Sequence, residues 1–160
     1  MAAGVVVEIV KEPVPAVIKS VTALEESAFG RGGLNEWHLP VIVRQGRLYV
    51  ARANETKVVV GAASLIRSWE TGIAFLFDLA VAREWRRRGV GRRLMAAVVE
   101  ELKRDGIRCL ELTVAPENGP ALALYNGLGM TRAAYLPEEY GGGTDRILLR
   151  LELGNGNDGR

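Results

Sequence analysis

The most informative stretch of this chain is residues 73–91, which read IAFLFDLAVAREWRRRGVG. The first nine are apolar on both alternating faces except for Asp78, which predicts a central strand covered on each side. Two glycines bracket Val90, so they allow a tight turn and a close approach of main-chain N–H groups to a ligand. An amphipathic helical pattern follows and closes at residues 105–106. The order strand, glycine loop, helix predicts an anion site at the start of the helix.

Two common nucleotide-binding loops fit this stretch poorly. A phosphate loop of the Walker type needs a Gly-Lys pair, and none occurs in the chain. A dinucleotide fingerprint wants a small residue where Leu94 stands and begins directly after its strand, whereas residues 82–88 intervene here. Glu111 lies where a ribose-binding acid would sit, but the strand continues past it. Dinucleotide binding therefore remains only an alternative.

A second strand and a short helix follow the long amphipathic helix. Residues 107–114 alternate and predict a strand parallel to the first, because a helix connects the two. Breakers in residues 115–120 precede a short helix that stops at residues 127–129. Asn118 is a candidate N-cap, and Tyr125 lies about two turns into the helix, which directs its phenol toward the gap between the parallel strands.

The chain resembles the GCN5-related N-acetyltransferases through residues in the order and spacing of that family's signature: Val81, Arg86-x-x-Gly89-x-Gly91, Val114, Asn118, Ala121, Leu124-Tyr125 and Gly129-Met130. The likeness covers about residues 73–131. It implies an α/β (α+β) fold with a mixed, mostly antiparallel sheet of six or seven strands flanked by helices. That sheet would be splayed between strands 73–81 and 107–114, where acetyl-CoA inserts. We expect a single domain over residues 1–153 and a polar, disordered tail at 154–160.

The resemblance also implies roles for individual residues. The loop at 86–91 would cradle the coenzyme A pyrophosphate, and the strand end would pair with the pantetheine arm and aim an amide near Val81 at the thioester carbonyl. Asn118 would help to hold the cofactor, and Tyr125 would protonate the departing thiolate. No metal is needed. The expected contacts to acetyl-CoA are Leu79, Ala80, Val81, Arg86, Arg87, Arg88, Gly89, Val90, Gly91, Arg92, Asn118 and Tyr125.

The sequence signals for the residues that bind or deprotonate the acceptor are less specific than those for the cofactor. Asp78 is the single charged side chain in its strand and a candidate base, with a structural carboxylate satisfied by an arginine or a backbone donor as the alternative. Glu36 is a candidate for substrate contact. The loop through residues 137–143 has some likeness to ribosomal-protein and amino-terminal acetyltransferases, in which a tyrosine such as Tyr140 touches the peptide. The alternative is a flexible hairpin connection.

Composition bounds the remaining choices. With 160 residues, 48% hydrophobic and 25% charged, the chain predicts one globular domain. Cys109 is expected to be a buried, inert thiol. The opening residues show neither a signal peptide nor a membrane-spanning run, so a cytoplasmic protein without a membrane partner is the default. Residues 83–108 carry nine basic and four acidic side chains, which a phosphate-rich cofactor explains better than nucleic acid.

The amino-terminal half predicts a strand at 4–11, helices at 14–29 and within 35–44, and strands at 47–53 and 57–68, and a last strand is predicted at 145–153. Trp37 and Trp69 are expected to pack rather than to line a ligand site.

The sequence thus predicts transfer of acetyl from acetyl-CoA to a primary amine in a ternary complex, with a peptide or protein N-terminal α-amine favoured. A small-molecule amine, an acyl-CoA sensor without turnover, and a nucleic-acid-binding domain are the alternatives. A monomer and a homodimer both remain open.

Overall fold

The structure, a computed structural model, describes residues 4–154. In chain order, and leaving aside short 3₁₀ turns at Gly30–Gly32 and Arg83–Trp85, its elements are β1 (Val5–Val10), α1 (Pro15–Phe29), α2 (Leu39–Gln45), β2 (Arg47–Ala53), β3 (Val59–Arg67), β4 (Ile73–Val81), α3 (Val90–Arg104), β5 (Cys109–Val114), α4 (Gly119–Gly127), β6 (Thr131–Leu136) and β7 (Arg146–Glu152). The predicted strands and helices are confirmed to within a few residues. β6 is an addition, because sequence reasoning assigned no strand there.

The seven strands form one mixed sheet in the order β1-β2-β3-β4-β5-β7-β6. β4 and β5 run parallel, while β1 and β2, β2 and β3, β5 and β7, and β6 and β7 run antiparallel. The predicted mixed, mostly antiparallel sheet with a central β4 is therefore confirmed. The splay between β4 and β5 remains a prediction.

The chain divides into two compact units. The first comprises the residues up to Arg67 together with Leu76–Val98, and the second comprises Ser68–Phe75 together with the residues from Val99 onward. The single domain over residues 1–153 therefore stays a prediction. The predicted disordered tail falls, beyond Gly154, outside the described residues.

In the first unit, helices α1 and α2 pack on one face of the β2–β3 sheet. Pro15 occupies the first turn of α1, where its missing N–H costs nothing, and Gly30 ends the helix at φ +62°. Alternating residues of β2 and β3 that point to these helices are fully buried with Leu39 and Val21. Each leucine or valine of this set contributes about 1.5–3 kcal/mol by leaving water. This core fixes α1 above the sheet.

The second unit is built around β5, which buries Cys109, Leu110, Leu112 and Val114 and pairs antiparallel with β7. Within that ladder Glu111 lies opposite Arg150, and their side chains form an ion pair at 2.6 Å. Glu111 is therefore engaged across the strands, which removes the ribose-binding role that the dinucleotide alternative needed. Cys109 is buried as predicted, and its pKa is raised chiefly by burial, so the thiol is inert at neutral pH.

Three predictions about packing are wrong. Trp37 is 81% exposed and Trp69 is fully exposed, although both were expected to pack. Phe77 is half exposed, so β4 is not covered at every position. These residues lie at the ends of elements or on a partly open strand face, where the local pattern does not reveal whether another element covers the side chain.

Candidate functional site

The predicted anion loop lies in the first unit and joins β4 to α3. Arg87 and Gly89 both adopt positive φ, at +60° and +81°, so the chain turns sharply before the helix. The N–H of Arg93 donates to the carbonyl of Gly89 at 2.9 Å. The N–H groups of residues 90–92 precede that bond and have no carbonyl of the preceding turn to bind. The turn therefore presents main-chain donors at the positive end of α3.

Gly61, on β3, sets the position of this helix. A Cβ at Gly61 would lie 2.9 Å from Val90 Cγ1, 3.0 Å from Leu94 Cδ1 and 3.4 Å from the Ala80 carbonyl oxygen. Only glycine lets the first turn of α3 approach β3 this closely. Sequence reasoning missed Gly61, because the contact joins residues almost thirty positions apart and the local strand pattern carries no sign of it.

The basic side chains around the turn have few internal partners. Arg86 Nε donates to the Val81 carbonyl at 3.2 Å, and the Arg88 guanidinium lies over the Trp85 ring at 5.2 Å from its centroid. Within residues 4–154, neither Arg87 nor Arg92 forms an ion pair with a carboxylate, and both are exposed. Their uncompensated charge strengthens the attraction of the turn for an anion.

Asp78 meets an unpredicted partner, Glu25. Glu25 is fully buried on α1, and its carboxyl lies within interaction range of Asp78, while Asp78 in turn interacts with the Ser64 hydroxyl. Burial, reinforced by the neighbouring Asp78, raises the pKa of Glu25 to about 9. Burial also raises the pKa of Asp78. The neighbours of Asp78 are thus an acid and a hydroxyl, not the arginine or backbone donor of the structural alternative.

Asn118 and Tyr125 lie on α4 in the second unit. The Asn118 side-chain oxygen accepts from the Ala121 N–H at 3.2 Å, which confirms it as the predicted N-cap. Tyr125 is 7% exposed and is the buried residue of this helix. Its carbonyl accepts from the N–H groups of Leu128 and Met130, both at 3.1 Å, while Gly129 turns the chain at φ +89°. The phenol is therefore carried on a helix fixed at both ends.

The connection between β6 and β7 is ordered by its own hydrogen bonds. The Tyr140 hydroxyl lies 3.1 Å from Thr113 Oγ1 on β5, and the Tyr140 N–H donates to Thr144 Oγ1 at 3.0 Å. The Tyr135 hydroxyl donates to Asp145 at 2.6 Å, a bond that holds the pKa of Asp145 below its usual value. Despite its glycines, this loop is tied to β5 and is not a loose hairpin.

Glu36 lies in the first unit on the rim of a groove of about 580 Å³. Prolines and aliphatic residues form most of the groove, and three charged side chains edge it: Lys19, Glu26 and Glu36. The structure thus places Glu36 beside a concave surface, with Asp78 and the anion loop in the same unit. Asn118, Tyr125 and Tyr140 belong to the second unit.

No metal centre or membrane span is found in residues 4–154. No three or more of their His, Cys, Asp and Glu side chains are grouped so that they could hold a metal ion. None of their helices combines the length and the apolar character that crossing a membrane requires.

Comparison with known proteins identifies relatives. Over 83 residues the chain is 35% identical to the ribosomal protein bS18-alanine N-acetyltransferase of Escherichia coli strain K12, a match covering 50% of this chain and 56% of that enzyme. This chain thus spans about half the length of that curated relative. The crystal structure of the Escherichia coli ribosomal-protein-S18-alanine N-acetyltransferase matches with a TM-score of 0.75 at 23% identity, covering 97% and 99% of the two chains.

Two other solved structures share the fold at lower identity. The NatC complex bound to Gag peptide and CoA gives a TM-score of 0.84 at 19% identity, covering 96% of this chain and 100% of that chain. A GNAT family acetyltransferase from Elizabethkingia anophelis with acetyl-CoA bound gives 0.73 at 18% identity, covering 93% and 98%. The sequence model described as the acetyltransferase (GNAT) family matches residues 16–130. The chain belongs to the GNAT family of acetyltransferases.

Proposed function

We propose that this protein transfers acetyl from acetyl-CoA to a primary amine, with the N-terminal α-amine of a peptide or protein as the preferred acceptor. The observation that carries the proposal is the turn before α3, where free main-chain N–H groups and uncompensated arginines lie together. Such a turn suits a diphosphate, which spreads negative charge over several oxygens that can each accept a hydrogen bond.

The donor would be bound along the end of β4 and the turn. Main-chain N–H groups of residues 87–92 would hold the diphosphate, and the side chains of Arg87 and Arg92 would add charge. The pantetheine arm would run along Leu79–Val81. The solved GNAT structure from Elizabethkingia anophelis contains acetyl-CoA, which supports this choice of donor.

Acyl transfer would proceed by direct attack of the neutral amine on the thioester carbonyl. The developing oxyanion needs a fixed donor, and we assign this to the Val81 N–H, since the Ala82 N–H already donates to the Val60 carbonyl at 2.8 Å. The carbon–sulfur bond then breaks, and the thiolate takes a proton from the Tyr125 phenol. Tyr125 recovers a proton as the new amide nitrogen loses one.

The choice of an α-amine rests on the cost of deprotonation. An α-amine with a pKa near 7.8 costs about 1 kcal/mol to deprotonate at pH 7, whereas a lysine amine near 10.4 costs about 4.6 kcal/mol. A half-buried carboxylate such as Asp78 can meet the smaller demand. The curated relative is named for acetylating an alanine of a ribosomal protein, and the NatC structure contains a peptide. Tyr140, fixed on Thr113, would contact the acceptor peptide.

A small cationic amine is the second candidate acceptor. The groove beside α1 is edged by two carboxylates, Glu26 and Glu36, and by one cation, Lys19, and this excess of negative charge would attract a polyamine more strongly than a neutral peptide. In that case Glu36 would bind the distal charge of the acceptor. Substitution of both carboxylates would then raise the KM for the polyamine and leave peptide turnover unchanged.

The test is release of the coenzyme A thiol with a panel of acceptors at pH 7.5. We expect release with peptides that carry a free N-terminus, and one added acetyl group at the first residue by mass spectrometry. The matched control is the same peptide with a blocked N-terminus and an internal lysine. Release only with polyamines would replace the peptide acceptor by the second candidate. Acetyl-CoA binding without release on any amine would favour a sensor.

A further inference from the structure

We propose that Glu25 is a positioning residue for Asp78: the two carboxyl groups and the Ser64 hydroxyl form one buried cluster that holds a single proton at neutral pH and offers Asp78 as its anionic base. This inference rests on the proposed function, because it gives the base of that reaction a partner. Glu25, Ser64 and Asp78 all belong to the first unit.

In this proposal the shared proton lies on one oxygen of Glu25. Glu25 is fully buried, and its Oε2 accepts from the Leu34 N–H at 3.3 Å. Its other oxygen, Oε1, is buried and accepts no hydrogen bond from a described residue, and Asp78 Oδ1 and Ser64 Oγ are buried in the same unsatisfied state. Two ionised carboxylates would repel one another in such a site, because few donors offset the charge. The proton therefore belongs on Oε1, which can donate toward Asp78.

The chain around the cluster is fitted to Glu25. A Cβ at Gly33 would lie 2.8 Å from the Glu25 carbonyl oxygen and 3.1 Å from the Glu25 Cβ, so the segment before α2 passes directly over this residue. That close passage brings the Leu34 N–H onto the carboxylate. The Glu25 side chain beneath this segment is fully buried.

Within residues 4–154, no charge other than that of Asp78 acts on the Glu25 carboxyl. Arg47 of β2 is half-buried. Because neighbouring side chains of a strand lie on opposite faces of the sheet, Arg47 lies on the face away from Leu48. The other charged or titratable side chains of α1, α2 and the segment between them are exposed: Lys19, Glu26, Arg31, Glu36, His38 and Arg44.

Protonated Glu25 changes the pKa of Asp78 in one direction. A hydrogen bond from protonated Glu25 favours the ionised form of Asp78 and so lowers its pKa against the effect of burial. In the reaction the ammonium group of the acceptor gives one proton to the Asp78 carboxylate, which leaves a neutral amine and a neutral Asp78. Asp78 releases that proton to solvent after the acetyl group has moved. Glu25 keeps its own proton throughout.

The experiment compares Glu25→Gln with Glu25→Leu. Glutamine keeps a neutral donor toward Asp78, so we expect kcat/KM at pH 7 to stay within about threefold of the wild type. Leucine removes the donor, so the pKa of Asp78 rises. The acid limb of the pH profile should then move to higher pH, with kcat/KM at pH 7 reduced at least tenfold and the KM for acetyl-CoA unchanged.

A second measurement does not depend on turnover. The Glu25 carboxyl carbon, followed by NMR in the full chain, should titrate near pH 9, and in Asp78→Asn it should titrate at lower pH because the neighbouring charge is gone. The exposed Glu55→Gln serves as control and should change neither readout. The proposed coupling of Glu25 to Asp78 would be overturned if Glu25 titrates in the ordinary range of a carboxyl. It would also be overturned if Glu25→Leu leaves the pH profile of kcat/KM unchanged. If the enzyme shows no turnover but the Glu25 carboxyl titrates near pH 9, only the proposed function is refuted.

Discussion

The buried acid on α1 makes the stability of this protein depend on pH in a way that one substitution should remove. Burial raises the pKa of Glu25 from 4.5 to about 9, so between those values the folded chain binds a proton that the unfolded chain does not. The contribution to stability is fully present below about pH 4.5 and is lost progressively as the pH rises toward 9. Stability should therefore fall by about 1.4 kcal/mol per pH unit on account of this group alone.

The perturbation is Glu25→Gln, which keeps the size and the neutral state of the side chain. The substituted protein has no proton to lose, so the difference in unfolding free energy, variant minus wild type, should grow by about 3 kcal/mol from pH 6 to pH 8. Urea titrations at pH 6, 7 and 8 measure it, and Glu55→Gln controls for loss of an exposed carboxyl. A difference that stays constant across this range would show that Glu25 is ionised in the folded protein and that its pKa is not raised.

Three further substitutions test the roles assigned to Tyr125, Gly61 and Tyr140. Tyr125→Phe should lower kcat about a hundredfold and leave acetyl-CoA affinity nearly intact, measured by thiol release and calorimetry; an unchanged kcat would deny the phenol its acid role. Gly61→Ala pushes a methyl group against Val90, so it should cost about 1–3 kcal/mol in urea unfolding and weaken acetyl-CoA binding, whereas a fully stable variant with normal affinity would show that the close packing is unnecessary. Tyr140→Phe breaks the hydroxyl contact to Thr113 and should raise the KM for peptide without changing that for acetyl-CoA; an equal effect on both would argue against an acceptor contact.

The features that could be predicted from the sequence are those with a local sequence pattern. The bounds of β4 and the start of α3 follow from an apolar run and a glycine turn, and the cap at Asn118 follows from its position before a proline. The family motif adds the order of these elements. Each of these features depends on residues that are close together in the chain.

What the sequence could not predict depends on distant neighbours. Glu25 reads as an ordinary polar position beside Glu26 on an amphipathic helix, and its burial appears only once Gly33 passes over it. Trp37 and Trp69 show the converse, since large aromatic rings stay exposed where nothing covers them. The ordering of Tyr140 by Thr113 joins residues 27 positions apart, which a glycine-rich loop pattern does not reveal.

The proposed function depends above all on the main-chain N–H groups at the start of α3, which would hold the diphosphate of coenzyme A. Amide NMR during a titration with coenzyme A tests it most directly, since each N–H reports its own hydrogen bond. We expect the amides of residues 87–92 to show the largest chemical-shift changes on saturation, and pantetheine, which lacks the diphosphate, to leave those shifts nearly unchanged. Saturation with coenzyme A that does not perturb these amides would contradict it.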